Sequence, residues 1–302
     1  MYDIIGDIHG HAAQLENLLE KLGYVKDQNI YKHPDKRQAI FVGDFIDGGP
    51  QIRETLHLVK NMCDAGTAFA IMGNHEYNAI CFHTAHTERE GFFRSHDLNE
   101  ISQHIKTLEQ FDYHKSEWEY FLEWFKTLPL FLEMDNFRLV HAYWNEDNMQ
   151  WIKENYFGIT PEFLSLATDA IHPSKVYDII EETLKGKEIT LPHGLSFQDK
   201  YGIYRNQCRV KWWMPMHERK TYEDILMHCP VELKTRNIDS IQTLPRYANT
   251  KPVFFGHYCL TEKPSIINKQ AICVDYCMSK DGVLVACRID RVADGITTAL
   301  IY

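Results

Sequence analysis

The chain has 302 residues, of which 44% are hydrophobic and 25% charged, and this composition is typical of a soluble globular protein with a sizeable core. Its formal net charge of −10 argues against broad non-specific binding to nucleic acid. No apolar stretch approaches the roughly 20 residues that cross a bilayer, and the first residues, MYDIIGDIHG, do not resemble a secretion signal, so we expect a cytoplasmic protein with reduced thiols and no membrane partner.

The first third of the chain alternates strand and helix patterns. A β-rich run at 2–5 precedes a helical pattern over 12–24, in which leucines recur on one stripe. The run QAIFV at 38–42 predicts the next strand, an amphipathic helix over 51–66 follows, and AFAIMG at 68–73 predicts a third strand. This order predicts a mostly parallel, layered α/β sheet.

The rest of the chain has a helix-rich middle and a β-rich end. Aromatic residues and leucines recur at helical spacing over 85–130, and FRLVHA at 137–142 returns to a strand pattern. The stretch 145–250 is mixed and helix-leaning, with a strand pair expected around YGIYRNQCRVKWW at 201–213. Three strand patterns follow between 252 and 289, the last two joined by an SKDG hairpin turn.

Polar side chains follow five predicted strands at the point where each strand ends. They are Asp7 and His9 in GDIHG, Asp44 and Asp47 in GDFIDGG, Asn74 and His75 in GNHE, His141 in LVHA, and His257 in GHY. Ligands of open α/β sheets bind outside the carboxyl ends of the strands. Aspartate, asparagine and histidine together suit a divalent ion of intermediate hardness.

The joint pattern carries more information than any of its parts. An aspartate before a helix is more often an N-cap than a ligand, and a lone histidine is usually structural. Asp7 and His9, however, are two residues apart and share one face of an extended chain, so both can reach one ion. Five such sites, framed by glycines or strands and in order, favour a metal centre.

In this order the motifs resemble those of the calcineurin-like metallophosphoesterases. They are most similar to the phosphoprotein-phosphatase branch, which includes bacterial serine/threonine phosphatases and diadenosine tetraphosphatases. The resemblance covers about the first 80 residues and then only His141 and the C-terminal strands. It implies an α/β (α+β) fold, a layered sandwich of central mixed β-sheets flanked by helices. We interpret 1–302 as a single domain with helical insertions at about 83–135 and 145–250.

The resemblance also implies roles for the strand-end residues. Asp7 and His9 would hold a first ion, Asp44 would bridge, and the second ion would be held by Asn74, His141 and His257. The ions would be divalent transition metals, manganese before iron or zinc, with a bridging hydroxide attacking phosphorus in line. In the family the counterpart of His75 protonates the leaving oxygen, and Asp47 would accept the ring N–H of His75, which we favour over a purely turn-forming role for Asp47.

One position departs from the family pattern. An arginine that grips the substrate phosphate normally follows the second aspartate, in GDxxDRG, but this chain has Gly48 there. Another cation should replace it, because phosphate recognition depends on arginine or lysine. Arg209 and Lys211 are two apart and would share one strand face, Arg205 lies further out, and Arg53 is the nearest in sequence. Each alone is expected to be a solvated surface charge, but we expect one of them to reach the site.

Four other polar residues lie near the motifs. Glu76 completes GNHE, either as a first-turn helix acid or as a support for the ligands, and Asp275 is a weaker candidate for such support. His83 and His86 form an HxxH pair, which we interpret as exposed polar residues or substrate contacts rather than as a third metal site.

The leading hypothesis is a dinuclear metal-dependent phosphoesterase. Its substrate would be a phosphoprotein, a dinucleoside polyphosphate or a small phosphate ester. A nucleic-acid phosphodiesterase is an alternative, but the nuclease branches of the superfamily end in GHxH, and GHYC places Cys259 at the second histidine. A non-catalytic phosphate- or partner-binding module is another alternative, which Gly48 supports and the six intact ligand positions oppose.

Overall fold

The predicted alternation of strands and helices is present in the structure, a computed structural model that describes residues 1–86, 89–198, 202, 204–238, 244–245, 247, 251–292 and 295–302. In chain order the strands of these residues are β1 Tyr2–Ile5, β2 Val25–Asp27, β3 Ile30–Lys32, β4 Gln38–Phe41, β5 Ala68–Ala70, β6 Phe131–Glu133, β7 Arg138–Val140, β8 Glu188–Thr190, β9 Phe197–Gln198, β10 Tyr204–Arg205, β11 Gln207–Arg209, β12 Val253–Phe255, β13 Ala271–Cys273, β14 Asp275–Tyr276, β15 Val283–Leu284, β16 Ala286–Val292 and β17 Gly295–Ile301. The α-helices are α1 Ala12–Lys21, α2 Ile52–Asp64, α3 Asn74–His83, α4 Leu98–Phe111, α5 Lys115–Lys126, α6 Glu146–Asn155, α7 Pro161–Ala167, α8 Lys175–Lys185 and α9 Tyr222–Ile225.

The larger strands form two mixed sheets. The first has five strands in the order β17-β16-β1-β4-β5, in which β1, β4 and β5 are parallel and β16 and β17 run antiparallel to their neighbours. The second has four strands in the order β13-β12-β7-β6, in which only β6 runs antiparallel to its neighbour. The parallel strands carry the predicted motifs, so their carboxyl ends point to one edge of each sheet.

Side-chain alternation places each sheet between the other sheet and a layer of helices. Ile4 and Ile40 of the first sheet form one buried cluster with Leu139 and Phe254 of the second. The residues of opposite alternation on these strands, such as Phe41 on β4, belong to a second cluster with apolar residues of α1, α2, α5 and α8. The layered sandwich of mixed sheets flanked by helices is therefore confirmed.

Three local expectations were wrong. The two strands of YGIYRNQCRVKWW do not pair with each other, because β10 pairs with β9 and β11 pairs with β8. The helical pattern that reaches residue 130 stops at Lys126, since Pro129 restricts the backbone before it, and β6 follows. The long edge strand β17 was not predicted at all.

The insertion regions contain most of the remaining helices. Helices α4 and α5 lie within 83–135, and α6 to α9 lie within 145–250 together with four short strands. Both predicted insertions also include residues outside the described set. No α-helix of the described residues has the length and apolar character that crossing a bilayer requires.

The expectation that the thiols are all reduced was also wrong. Cys259 and Cys277 form a disulfide between two loops, with Cα atoms 4.1 Å apart. Both residues have left-handed backbones, with φ of 49° and 63°, and this brings the loops after β12 and β14 together. The six other cysteines are free thiols, most of them buried.

Candidate active site

The carboxyl ends of strands from both sheets meet at one site. Asp7 follows β1, Asp44 follows β4, and Asn74 begins α3 just after β5, all from the first sheet. His141 directly follows β7 and His257 follows β12, both from the second sheet. The structure thus brings these strand-end side chains together, from two sheets rather than one.

Tight turns bring the side chains together at the cost of backbone strain. His9, Asp44, Asp47 and His257 all have positive φ, between 48° and 71°. A left-handed backbone costs a non-glycine residue roughly 1–2 kcal/mol, and such residues cluster at functional sites. The turns after β1 and β4 are also joined, because the amides of Ile8 and His9 both donate to the carbonyl of Asp44.

Asp44 lies at the centre of the site. Its Oδ2 atom lies 3.4 Å from Nε2 of His141, 3.7 Å from Nε2 of His9 and 3.9 Å from Nε2 of His75. Burial opposes ionisation of this carboxyl, but the three imidazoles hold its pKa well below the usual range, His141 first. One carboxylate oxygen thus faces three ring nitrogens.

Backbone carbonyls orient two of these rings. The Nδ1 atom of His9 lies 3.0 Å from the carbonyl of Ile46, and that of His141 lies 2.7 Å from the carbonyl of Val42. If Nδ1 carries the proton in each ring, Nε2 presents its lone pair to the centre of the site. That arrangement is the usual one for histidines that bind metals.

Asn74 and His257 complete a second group of ligand-type atoms. The amide oxygen of Asn74 lies 2.6 Å from Nδ1 of His257 and 3.0 Å from Nε2 of His141. The site contains two triplets of ligand-type atoms, and within each triplet the atoms lie within 4.8 Å of one another. One triplet comes from Asp44, His141 and His257, and the other from His9, Asp44 and His75. Asp44 belongs to both triplets.

Asp7 lies beside these triplets without belonging to either. Its Oδ2 accepts the amide N–H of His257 at 2.8 Å, while its Oδ1 is buried and has no hydrogen-bond partner among the described residues. Burial raises the pKa of Asp7 well above the usual range, and Asp275 and Asp44 raise it further. A buried, crowded carboxylate with an unused oxygen fits a cation ligand.

Glu76 and Asp275 hold the backbone of the site. The carboxylate of Glu76 is fully buried and accepts amides of Gly73, Asp44 and Phe45 at 2.8 to 3.0 Å, so it joins the turn after β4 to the start of α3. Burial and Asp44 raise the pKa of Glu76 to about 7. Asp275 accepts the amides of both disulfide cysteines. Glu76 is therefore both an acid in the first turn of α3 and a support for the site, and Asp275 holds the loops beside it.

His75 and Asp47 form a close pair. The Nδ1 atom of His75 lies 2.6 Å from Oδ2 of Asp47. Although burial opposes the charge, Asp44 and Asp47 raise the pKa of His75 to about 9. His104 and Thr107 on α4 also bond to Asp47. Burial alone would raise the pKa of Asp47, but the hydrogen bonds from His104 and His75 lower it. The sequence motifs gave no signal for either α4 residue.

Among the predicted cations, Arg209 is the one whose charge acts on a metal-type residue in the described part of the chain. After burial, its charge is the main influence that lowers the pKa of His257. Its Nε atom is buried without a hydrogen-bond partner in the described part of the chain, and Glu188 lies 3.7 Å away. Strand β11 ends at Arg209, so Lys211 lies beyond the strand rather than on its face, and Nζ of Lys211 donates to the carbonyl of Glu223.

The remaining basic candidates lie elsewhere. Arg205 is exposed on β10, and Arg53 pairs with Glu117 at 2.8 Å. His83 and His86 do not converge, because His83 faces His104 while His86 lies 2.8 Å from the guanidinium of Arg89.

Known proteins resemble this chain in sequence. A family model described as calcineurin-like phosphoesterase matches residues 2–259. Bis(5'-nucleosyl)-tetraphosphatase PrpE (asymmetrical) from Geobacillus sp. (strain WCH70) is 33% identical over 144 residues, which are 47% of this chain and 56% of that protein. The protein of the same name from Halalkalibacterium halodurans is 46% identical over 74 residues, which are 24% and 30% of the two chains. The chain thus matches about half or less of the length of these curated relatives.

Solved structures are more distant. A crystal structure described as a putative diadenosine tetraphosphatase aligns with 100% of this chain and 93% of its own, at a TM-score of 0.45 and 15% identity. A cold-active protein-tyrosine phosphatase of a Shewanella species aligns with 98% and 79% of the two chains, at a TM-score of 0.44 and 17% identity.

Proposed function

Because this chain belongs to the calcineurin-like phosphoesterase family, we propose that it is a metal-dependent phosphoesterase that hydrolyses dinucleoside polyphosphates. The observation that carries the proposal is the convergence of ligand atoms on Asp44, next to the His75–Asp47 pair. A binding module needs no acid–base pair beside its ligands, so the pair favours an enzyme.

The residues present fit two divalent cations. We assign Asp7 and His9 to one ion, Asp44 to both, and Asn74, His141 and His257 to the other. Ions bound there would polarise the phosphoryl oxygens and activate the attacking water. Two observations support this fit. Oδ1 of Asp7 and Nε2 of His257 are buried and have no hydrogen-bond partner among the described residues. The two triplets found among those residues contain carboxylate and imidazole but no thiolate. Carboxylate, amide and imidazole together suit manganese, with iron and zinc as alternatives.

His75 supplies the proton for the leaving oxygen. Its Nδ1 is engaged by Asp47, so its Nε2 faces the centre of the site and is the atom that would reach the substrate. Asp47 holds the tautomer and the ring orientation, as the partner of an acid–base histidine must.

Arg209 replaces the missing arginine at position 48. Its charge acts on His257, and its Nε forms no hydrogen bond within the described residues besides the 3.7 Å ion pair with Glu188, so the guanidinium is suited to a phosphate oxygen. Lys211 and Arg205 remain predictions from the sequence as substrate-binding cations.

The named activity of the relatives favours a dinucleoside polyphosphate as substrate, before a phosphoprotein or another phosphate ester. The nuclease alternative stays the less favoured one, since Cys259 stands where the nuclease branches have their second histidine and lies against Cys277. Location in the cytoplasm stays a prediction from the sequence.

The test compares metal content and hydrolysis in one preparation. We expect about two transition-metal ions per chain after loading with manganese, and manganese-stimulated hydrolysis of diadenosine tetraphosphate in preference to p-nitrophenyl phosphate, a phosphoserine peptide and single-stranded DNA. Iron- and zinc-loaded samples identify the best metal. A fully loaded protein that hydrolyses none of the four substrates would overturn the proposal, and preference for the peptide would overturn its substrate class alone.

A further inference from the structure

Helix α4 places two side chains on the carboxylate of Asp47. His104 and Thr107 are one turn apart on this helix, both are buried, and they lie in an insertion that no family motif covers. Nδ1 of His104 lies 2.9 Å from Oδ1 of Asp47, and the hydroxyl of Thr107 donates to the same oxygen at 2.5 Å. The i, i+3 spacing puts both residues on one face of α4.

These contacts complete the hydrogen bonding of Asp47. Its Oδ2 is used by His75, its Oδ1 has the two α4 partners, and its own amide donates to the Thr107 hydroxyl at 3.2 Å. Asp47 has a left-handed backbone with φ of 64° and is followed by Gly48 and Gly49. The local chain around Asp47 is therefore intrinsically permissive, and α4 supplies the contacts that determine which way the carboxylate points.

Other side chains pack against the ring of His104 and restrict its rotation. Its Nε2 lies 3.3 Å from Nε2 of His83, and the rings of Phe82 and Trp118 lie 5.3 and 5.8 Å from its ring centroid. Its residue exposure is 6%. Buried rings around a buried donor leave it little freedom to rotate, so it can transmit a fixed orientation to Asp47.

We propose that His104 is a positioning residue for the general acid: through Asp47 it holds His75 in the orientation that protonates the leaving oxygen, with Thr107 as second support. This role rests on the proposed function of His75. It predicts that loss of His104 affects substrates in proportion to their need for leaving-group protonation, whereas a merely structural role would affect them all alike.

The experiment measures kcat and KM of manganese-loaded variants on aryl phosphates with leaving groups of graded basicity. For His104→Leu we expect kcat to fall about tenfold or more on phenyl phosphate but less than about threefold on p-nitrophenyl phosphate, with KM and metal content unchanged. His104→Asn keeps a donor near the position of Nδ1 and should stay within about threefold of wild type on both. His96→Leu is the matched control, since His96 bonds to the carbonyl of Phe82 and not to Asp47.

Two further variants keep the test decisive if His104→Leu folds poorly. Thr107→Val should reproduce the leaving-group effect in weaker form, and Thr107→Ser should not. In a double-mutant cycle, His104→Leu should add almost nothing to His75→Asn, because both act through one proton transfer. Equal losses on both aryl phosphates, or additive losses in the cycle, would overturn the role of His104 while leaving the proposed function intact. Absence of hydrolysis by the wild-type holoenzyme would overturn both.

Discussion

The two oxygens of Asp44 have separate roles. Oδ1 accepts the amide of His75 at 3.0 Å and so joins the turn after β4 to the start of α3. Oδ2 faces the imidazoles of His9, His75 and His141. Glycine is required next to it, since a Cβ atom on Gly73 would lie 2.2 Å from Oδ1. Charge and backbone geometry therefore act together on this one carboxylate.

Substitutions at Asp44 and His75 should separate metal binding from proton transfer. Asp44→Asn removes the negative charge shared by both triplets, so metal content and activity should fall together. His75→Asn leaves the assigned ligands in place, so the metal should stay while kcat falls by about 10²- to 10⁴-fold. Elemental analysis and steady-state kinetics measure both. Loss of metal from His75→Asn would show that His75 is a ligand and that its assignment here is wrong.

Gly48 is open enough to accept the family's arginine. A Cβ atom there would lie 3.5 Å from Cβ of both His9 and Ser279, which is ordinary contact, but the backbone φ is +86°. Gly48→Ala and Gly48→Arg should therefore each lower the free energy of unfolding by roughly 1–2 kcal/mol. Gly48→Arg should also lower KM for p-nitrophenyl phosphate about fivefold, the effect of one added hydrogen bond near 1 kcal/mol.

Gly48→Ala is the control for this strain, since it has the same backbone cost and no cation. Denaturant unfolding and steady-state kinetics compare the two variants. If their KM values are equal, position 48 does not face the substrate phosphate, and the absence of arginine there has no bearing on substrate choice.

The sequence pattern predicted those strands and helices that are determined by the spacing of their own apolar residues. The strands β1, β4 and β5 and the helices α1 and α2 were predicted because apolar spacing and flanking glycines specify them within a few residues. The metal-type residues were predicted because each follows such a strand. The pairing of β11 with β8 and the docking of α4 on Asp47 join segments that lie well apart in sequence, and no local pattern reports such contacts. β10 has a nearby partner, but the sequence pattern gave no strand at β9.

The second sheet carries a charge cluster whose effect depends on pH. The carboxylate of Glu133 on β6 pairs with Lys153 on α6 at 2.5 Å and with Arg138 on β7 at 2.9 Å. Lys153 first, and then Arg138, lower the pKa of Glu133 to about 2 against the effect of burial. Since the pKa in the folded state is below that of the unfolded chain, the stabilisation is present above about pH 4.5 and is lost as the pH falls through about 2.

Glu133→Gln should therefore lower the free energy of unfolding at pH 6, and the gap from wild type should narrow as the pH is reduced from 4.5 towards 2. Added salt should narrow it as well, because the group is partly exposed. Denaturant unfolding at several pH values measures the gap. Glu119→Gln, on the exposed side of α5, is the control and should show little gap at any pH. A gap for Glu133→Gln that is constant with pH would contradict the ion-pair explanation.

At the scale of the whole molecule, the first and last strands share one sheet. Tyr2 to Ile5 of β1 pair with Ile289 to Ala286 of β16, and β17 pairs along the other side of β16. The inward side chains of β16, such as Cys287, belong to the cluster that joins the two sheets. We propose on these grounds that 1–302 is one domain, with the insertions as parts of it.

If the chain is one domain, a destabilising substitution near the C-terminus should lower the free energy of unfolding of the whole chain. All six tryptophans lie between Trp118 and Trp213, far in sequence from β16, so their fluorescence reports on the middle of the chain. Ile289→Ala empties a position that is 2% exposed in the cluster between the sheets and should cost about 2–5 kcal/mol. In one domain the fluorescence transition should shift by the same amount as the far-ultraviolet circular dichroism transition, because unfolding is cooperative.

Thr297→Ala, on the exposed edge strand β17, is the matched control and should change the free energy of unfolding by less than about 0.5 kcal/mol. If Ile289→Ala shifts the circular dichroism transition but leaves the tryptophan transition in place, the middle of the chain unfolds independently. The segment that carries the tryptophans, from Trp118 to Trp213, would then unfold apart from the first sheet, and the single-domain proposal would be wrong.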